Sequence, residues 1–408
     1  MRLIIYAINY YPELTGIGKY TGEMAEWLVK RGHEVRMVTA PPYYPQWSVG
    51  EGYSGGKYVR EKIRGVDVLR CPLWVPPKPS GLKRIIHLAS FAMTSLPVML
   101  RQIFWKPDIV FVVEPPLFCA PGAWLVSRLS GARAWLHIQD FEVDAAFELG
   151  ILAPGRLQDL VFFLEKILMK RFDGVSTISN RMLQRLLGKG VDSGKTFLFP
   201  NWVDTESIYP LDGSPMRNEL GISREEIVCL YSGNMGEKQG IEILVEAAHL
   251  LRREKNIRFV FCGNGAARER IFESARHLDS IAWLPLQPQS KLNDLLNLAD
   301  IHLLPQRSDA ADLVMPSKLT GMLASGRPVV ATVGSGTEIA HVLELCGRIV
   351  PPGDGEALAA AILELSKDRA TRESLGREAR VHALEHLGMD AVLMKFEETI
   401  LGNVMPVQ

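Results

Sequence analysis

The chain repeats one local pattern: a short apolar run, a glycine-bearing junction, then a stretch with apolar residues at helical spacing. The first copy constrains the fold most. "RLIIYAI" (Arg2 to Ile8) is short and rich in branched apolar residues, the make-up of a buried strand. After "NYYPELT" comes "GIGKYTGEM". Met24, Trp27 and Leu28 then follow at helical spacing from about Gly18 until "RGH" stops the helix. "EVRMVTA" (Glu34 to Ala40) is a second strand. Strand-helix-strand requires a parallel pair with a right-handed crossover, and so a sheet with helices on its faces.

The rhythm continues. Strands are expected at Asp108 to Val113, Ala134 to His137, Gly174 to Ile178 and Thr196 to Phe199. Tyr58 to Arg70 alternates around Gly65 and reads as a hairpin or two short strands. "FPNWVDTESIYPLDGSP" has linker composition, and the pattern restarts beyond it. Strands are expected within Ile227 to Gly233 and Ile257 to Gly265, and at Ile281 to Leu284, Ile301 to Leu304, Pro328 to Thr332 and Arg348 to Val350, with a helix at Gln239 to Leu251. A chain of 408 residues is long for one core. The predicted class is therefore α/β: two facing doubly wound Rossmann-like domains with an interdomain cleft, the default ligand site. The expected divisions are 1–202, 203–385, and a C-terminal helix in 386–408 crossing back to the first domain.

Bulk charge excludes one class of partner. The 46 basic and 46 acidic residues cancel, which argues against nucleic-acid binding. The cysteines (Cys71, Cys119, Cys229, Cys262, Cys346) are scattered and odd in number, as free or buried thiols in a reducing compartment would be. "MRLIIYAINYYPE" lacks a signal-peptide cleavage site, and no apolar run is long enough for a membrane span. A cytoplasmic protein is expected. Pro79 to Pro107 is apolar with basic ends: Lys83 and Arg84, then Arg101 and Lys106. It reads either as a helix lying on an anionic membrane surface or as a core helix broken near Pro97.

Gly16, Gly18 and Gly22 suggest a phosphate-binding turn but match neither familiar template. For a dinucleotide fingerprint the third glycine is one place late, and Asn9 to Thr15 separate strand from glycine. Pro41 and Pro42 also stand where a ribose-binding acid belongs. For a P-loop, Gly18-Lys19 is followed by Tyr20 rather than Ser or Thr. The loop is either a plain strand-to-helix connection or a helix start that offers N–H groups and Lys19 to an anion.

The second half repeats the theme. In "YSGNMGEKQG", Gly233 and Gly236 surround Asn234, and Lys238 is expected at the next helix start. The dipole disfavours a lysine there, so it reads as a phosphate ligand or as a solvated surface residue. Gly263 and Gly265 of "FCGNGAARERI" suit close approach by a nucleoside, or a sharp turn. In "MPSKLTGMLASGRPVVAT", Pro316 favours a first helical turn, with Ser317 and Lys318 placed for an anion. Leu319, Met322 and Leu323 read as core, and Gly326 ends the helix. Three such junctions at strand ends favour a nucleotide-containing ligand.

Taken in order and spacing, the glycine loop, "PNWVD", "SGNMGEKQG", "CGNG", "LADIHLLPQ" and "SKLTGMLASGRPVVA" resemble glycosyltransferase family 4, retaining enzymes of the GT-B fold, over nearly the whole chain. "TAPPYYPQW" and "HIQDFEVDA" narrow the resemblance to members that assemble bacterial exopolysaccharides of the colanic acid type. The resemblance implies a nucleotide-sugar donor, with a GDP-sugar and fucose favoured, and an undecaprenyl-diphosphate-linked oligosaccharide acceptor at the inner face of the bacterial inner membrane. It implies donor contacts from Gly16, Gly18, Lys19, Gly233, Asn234, Lys238, Gly263, Asn264, Gly265, Leu286 within "LPLQP", Pro316, Ser317 and Lys318. It also implies a hydrogen bond to the transferred sugar from His137, followed by Asp140, in catalysis beside Lys238.

The chain departs from the family at one point. The usual glutamate pair falls on Leu313 and Gly321, so Asp309 and Asp312 are the expected substitutes. No D-x-D sequence is present, and neither a metal nor another cofactor is expected. Two other readings share the architecture. An epimerase would need cleft carboxylates for acid-base work, and a non-catalytic sugar-binding protein, if secreted, would need a signal peptide.

Overall fold

The computed structural model describes residues 1–13, 16–148, 155–236, 239–307 and 316–402, leaving aside the side chains of 145, 146, 148, 156 and 157. The chain divides into two compact units, Met1–Pro200 with Lys395–Gln408, and Asn201–Met394.

The first unit contains β1 (Arg2–Tyr6), α1 (Gly16–Lys30), β2 (Glu34–Thr39), β3 (Val59–Ile63), β4 (Val66–Arg70) and α2 (Gly81–Arg101). It continues with β5 (Ile109–Glu114), α3 (Ala120–Ser130), β6 (Arg133–Ile138), α4 (Glu142–Glu148), α5 (Arg156–Met169), β7 (Gly174–Thr177), α6 (Asn180–Gly188) and β8 (Thr196–Leu198). Among the described residues the sheet order is β3-β4-β2-β1-β5-β6-β7-β8. Every pair is parallel except β3 with β4, the hairpin around Gly65. β1 and β5 are buried along nearly their whole length because helices cover both faces.

α2 corrects one expectation, because it runs unbroken through Pro97. His87, Phe91, Ser95 and Met99 form a buried stripe on both sides of the proline, and that packing outweighs the lost backbone bond.

The second unit contains α7 (Met216–Glu219), β9 (Ile227–Ser232), α8 (Glu242–Leu250), β10 (Ile257–Cys262), α9 (Arg268–Ala275), β11 (Ile281–Leu284) and α10 (Leu292–Leu296). β12 (Ile301–Pro305), α11 (Ser317–Ala324), β13 (Val329–Thr332), α12 (Glu338–Leu343), β14 (Gly347–Val350), α13 (Gly355–Lys367) and α14 (Arg369–His382) follow. Its described sheet is parallel, in the order β11-β10-β9-β12-β13-β14. The last helix, α15 (Met389–Ile400), begins in the second unit and ends in the first. There Glu397 is held by Arg31 (2.9 Å) and His33 (2.7 Å), and Phe396 stacks on Phe199 at 4.2 Å.

Both sheets reverse their winding direction once, at β1/β5 and at β9/β12. Ligands of doubly wound sheets bind outside the carboxyl ends of the strands at that reversal.

Candidate functional site

In the second unit the reversal places the end of β9 beside the end of β12. The junction after β9 folds onto the junction after β10. Met235 N–H donates to Asn264 O (2.8 Å), Ala267 N–H to Met235 O (2.9 Å) and Gly233 N–H to Cys262 O (3.0 Å). This packing explains the glycines. A Cβ on Gly263 would lie 1.9 Å from Gly233 O, and one on Gly265 would lie 2.4 Å from Met235 O. Their φ angles of +142° and +156° are also open to glycine rather than to L side chains. Packing of one loop on the other already requires both glycines.

Against this double loop lies Lys318, the second residue of α11. Its Nζ is 3.2 Å from Gln239 Oε1 and 4.8 Å from the Tyr231 ring centroid, and its Cδ borders Gly233. Among the described residues it has no carboxylate partner. Burial lowers its pKa to about 8. Pro316 precedes α11 as its cap instead of forming its first turn, so Ser317 and Lys318 are the residues at the helix start. α8 begins at Glu242, later than expected, because Gly240 (φ +65°) packs where a Cβ would meet Arg307 Cγ at 2.9 Å. Beside the loops a depression of about 660 Å³ is lined by Asn264, Gly265, Arg268 and Phe272, among others. Among the described residues, Arg268 Nε is buried without a hydrogen-bond partner. Leu286 is exposed, while Pro285 O already accepts from Gln287 Nε2 (2.9 Å) and Cys262 Sγ (3.2 Å).

In the first unit the segment after β1 leads into α1, which opens at Gly16 and contains Gly18. Buried Glu13 ties it to the loop after β2. Its Oε1 accepts from Tyr43 N–H (2.7 Å) and Tyr44 N–H (2.8 Å), and its Oε2 from Asn9 Nδ2 (2.7 Å). A Cβ on Gly18 would lie 2.8 Å from Glu13 Cβ, whereas among the described residues one on Gly16 (φ +58°) would meet nothing closer than Tyr44 Cε1 at 4.0 Å. Lys19 pairs with Glu23 at 4.0 Å. At the end of β5, Glu114 is fully buried next to Glu142, and burial followed by that neighbour holds its carboxyl well above the usual range.

Residues 15–202 match the Glycosyl transferase 4-like domain, and residues 214–382 match Glycosyl transferases group 1. WcaI of Escherichia coli (strain K12), named provisionally as a colanic acid biosynthesis glycosyl transferase, is 44% identical over 98% of this chain and 100% of its own. The chain belongs to glycosyltransferase family 4. Among solved structures the enzyme shares its fold with sucrose-phosphate synthase from Thermosynechococcus elongatus (TM-score 0.75, 17% identity, 98% of each chain). It also shares it with Anabaena HepE, solved in complex with UDP and glucose (TM-score 0.67, 13% identity, 98% of this chain and 100% of that one). The glycosyltransferase thus has the two Rossmann-like domains of the GT-B fold.

The structure of the glycosyltransferase sorts the expected residues. Gly233, Asn234, Gly263, Asn264, Gly265, Ser317 and Lys318 are brought together at the carboxyl ends of β9 and β10, beside the start of α11. Lys238, Asp309 and Asp312 lie outside the described residues. His137 is corrected: it is 3% exposed, Nδ1 meets Ser176 Oγ (3.0 Å), Nε2 meets Gln139 Nε2 (2.9 Å), and Phe111 stacks on it. Its strand is buried on both faces, so the ring belongs to the core, and Gln139 and Asp140 stand beyond the strand end instead. Glu13, Tyr231, Gln239 and Arg268 were missed. "PELTG" and "LYSG" carry an acid and an aromatic ring beside a glycine junction, but their roles depend on contacts distant in sequence.

Proposed function

We propose that this enzyme moves a hexose from a nucleoside-diphosphate sugar to a lipid-linked oligosaccharide during assembly of a colanic-acid-type exopolysaccharide, in the cytoplasm. The observation that carries the reading is Lys318: a largely buried ammonium with no described carboxylate partner, at the start of a helix and beside two interlocked glycine loops. Such a group is costly to keep unless a ligand brings the negative charge. A departing diphosphate does so, because its charge grows as the glycosidic bond breaks, and fixed donors are most effective where charge develops. Ser317 and the α11 N–H groups add to the same field. Retention of configuration follows the family habit.

The relative named for colanic acid biosynthesis supports the pathway class, and the fold shared with HepE, solved with UDP and glucose, supports a nucleotide-sugar. Within that class we favour a GDP-sugar, fucose as the transferred group, and an undecaprenyl-diphosphate-linked acceptor. We also propose turnover without a divalent metal. Among the described residues no His/Cys/Asp/Glu group is arranged to hold one. Full activity in EDTA is expected, and loss restored by magnesium would refute this part.

A thermal-shift panel of GDP-, UDP- and dTDP-sugars tests the donor, since a ligand bound to the native state raises Tm. A rise with a GDP-sugar is expected. A larger rise with a UDP-sugar overturns the base assignment, and no rise with any of them overturns the nucleotide-sugar reading.

A further inference from the structure

The helices of the first unit do not have the surface that a water-facing layer needs. β4, β5, β6 and β7 are joined in that direction across the sheet, so right-handed crossovers put α2, α3 and α5 on the same face. Their inward stripes fill the core. Their outward stripes should be charged.

They are not. On α2, Leu82, Ile86, Met93 and Leu96 fall on one stripe opposite the buried one, and Met93 is 75% exposed. Residues 85–100 contain no Asp, Glu, Lys or Arg. On α3, Leu125 and Leu129 are exposed. On α5, Leu160, Phe163, Leu164 and Ile167 form a second exposed stripe, with Phe163 at 58%. The surface is continuous between helices: a Cβ on Gly122 of α3 would lie 3.2 Å from Leu96 Cδ1, and the Arg171 guanidinium, just past α5, sits 4.8 Å from the Trp124 ring of α3.

The exposed charge around this face is mostly basic. Lys78, Lys83 and Arg84 are exposed around the start of α2, Arg101 and Lys106 around its end, and Lys166, Lys170 and Arg171 around the end of α5. Asp159 is the exposed acid on α5, whereas Glu165 of the same helix is buried against Lys189 (2.5 Å); Asp108, past α2, accepts from Arg2 N–H (2.7 Å), and Asp173 is paired with Arg128 (3.8 Å). No described helix is long and apolar enough to cross a membrane.

We infer that the joint outer face of α2, α3 and α5 docks on an anionic phospholipid bilayer. The apolar stripes enter the boundary between headgroups and acyl chains, and the basic rim meets lipid phosphates. A protein partner of mixed charge would not need a rim so predominantly basic. The inference goes beyond the transfer reaction and does not rest on a lipid-linked acceptor.

The test uses the full chain and glycan-free vesicles of phosphatidylcholine, alone or with an equal part of phosphatidylglycerol, in co-sedimentation. Anionic vesicles should pellet the protein at least ~10-fold better than neutral ones. That advantage should shrink several-fold between about 0.1 and about 0.5 M salt. Met93→Glu with Phe163→Glu, and separately Lys83→Ala with Lys170→Ala, should each lower vesicle binding about 10-fold. These positions are exposed, so Tm and nucleotide binding should stay unchanged. No pelleting of the wild type, or unchanged pelleting of the apolar double variant, overturns the inference. So does a wild-type dimer that Met93→Glu with Phe163→Glu turns into a monomer, because the face would then belong to a second copy. Failure here would leave sugar transfer untouched, which separates the two readings.

Discussion

The Lys318 ammonium stands 4.8 Å from the centre of the Tyr231 ring. The ring offers its electron-rich face but no full charge, and burial favours the neutral amine. The lysine is therefore a liability to the empty fold and an asset to a bound anion. Lys318→Met should raise Tm at neutral pH while abolishing most donor affinity. The sign follows from linkage. With a folded pKa of about 8 against an ordinary 10.5, the unfolded chain binds more protons between those values, so wild-type stability rises with pH there. The methionine variant should be more stable by ~2–3 kcal/mol near pH 7 and should lose that rise. Denaturant titration at several pH values with donor-binding calorimetry checks both halves. A variant that is less stable and binds donor normally would refute the assignment.

Donor affinity in the wild type should fall as pH climbs through about 8, because the free lysine loses its proton there. Affinity that is flat from pH 7 to 9 would remove Lys318 from the diphosphate.

Gly263→Ala places a Cβ against a backbone carbonyl in a conformation that L residues rarely adopt. The loops must separate, so Tm should drop by ~5 °C or more and donor binding should fall with it. Differential scanning calorimetry measures the first. A stable variant with selectively weakened nucleotide binding would mean that ligand approach, not loop packing, requires the glycine.

Gly18 and Gly16 should behave differently. Alanine at 18 collides with Glu13, whose carboxylate holds the Tyr43 and Tyr44 amides, while alanine at 16 meets backbone strain and, among the described residues, no close contact. Gly18→Ala and Glu13→Gln should each cost ~1–3 kcal/mol and reduce transfer more than donor binding, since the loops proposed to hold the donor belong to the other unit. Equal loss of transfer and donor binding would return this loop to the nucleotide site.

His137 should prove to be a stability residue. Burial depresses it to about 3, as it does buried His302. Neutral rings are kept by the fold and charge freely when it opens. Stability should be fully present above about pH 6.5 and decline as pH falls toward about 3. His137→Gln should flatten part of that decline and leave the donor KM unchanged. A raised donor KM at unchanged Tm would restore the contact to the transferred sugar.

The alternation of apolar runs and helix-spaced stretches determined much of this protein unaided. Strand and helix periods, the hairpin at Gly65 and the linker after Phe199 are local properties, because backbone sterics and side-chain direction act over a few residues. The glycine junctions were legible as junctions for the same reason. What each glycine is for was not legible, since Gly263 answers to Gly233 and Gly18 to a carboxylate whose other contacts lie on the loop after β2. His137 looked like a site residue because it ends an apolar run, and burial on both faces of its strand removes it. Pro97 looked like a break, and packing on both sides carried the helix through it. The basic and apolar make-up of α2 could be read along the chain, but its continuation onto α3 and α5 could not. Pattern is written residue by residue, whereas burial and the pairing of charges depend on which distant segments the fold brings into contact.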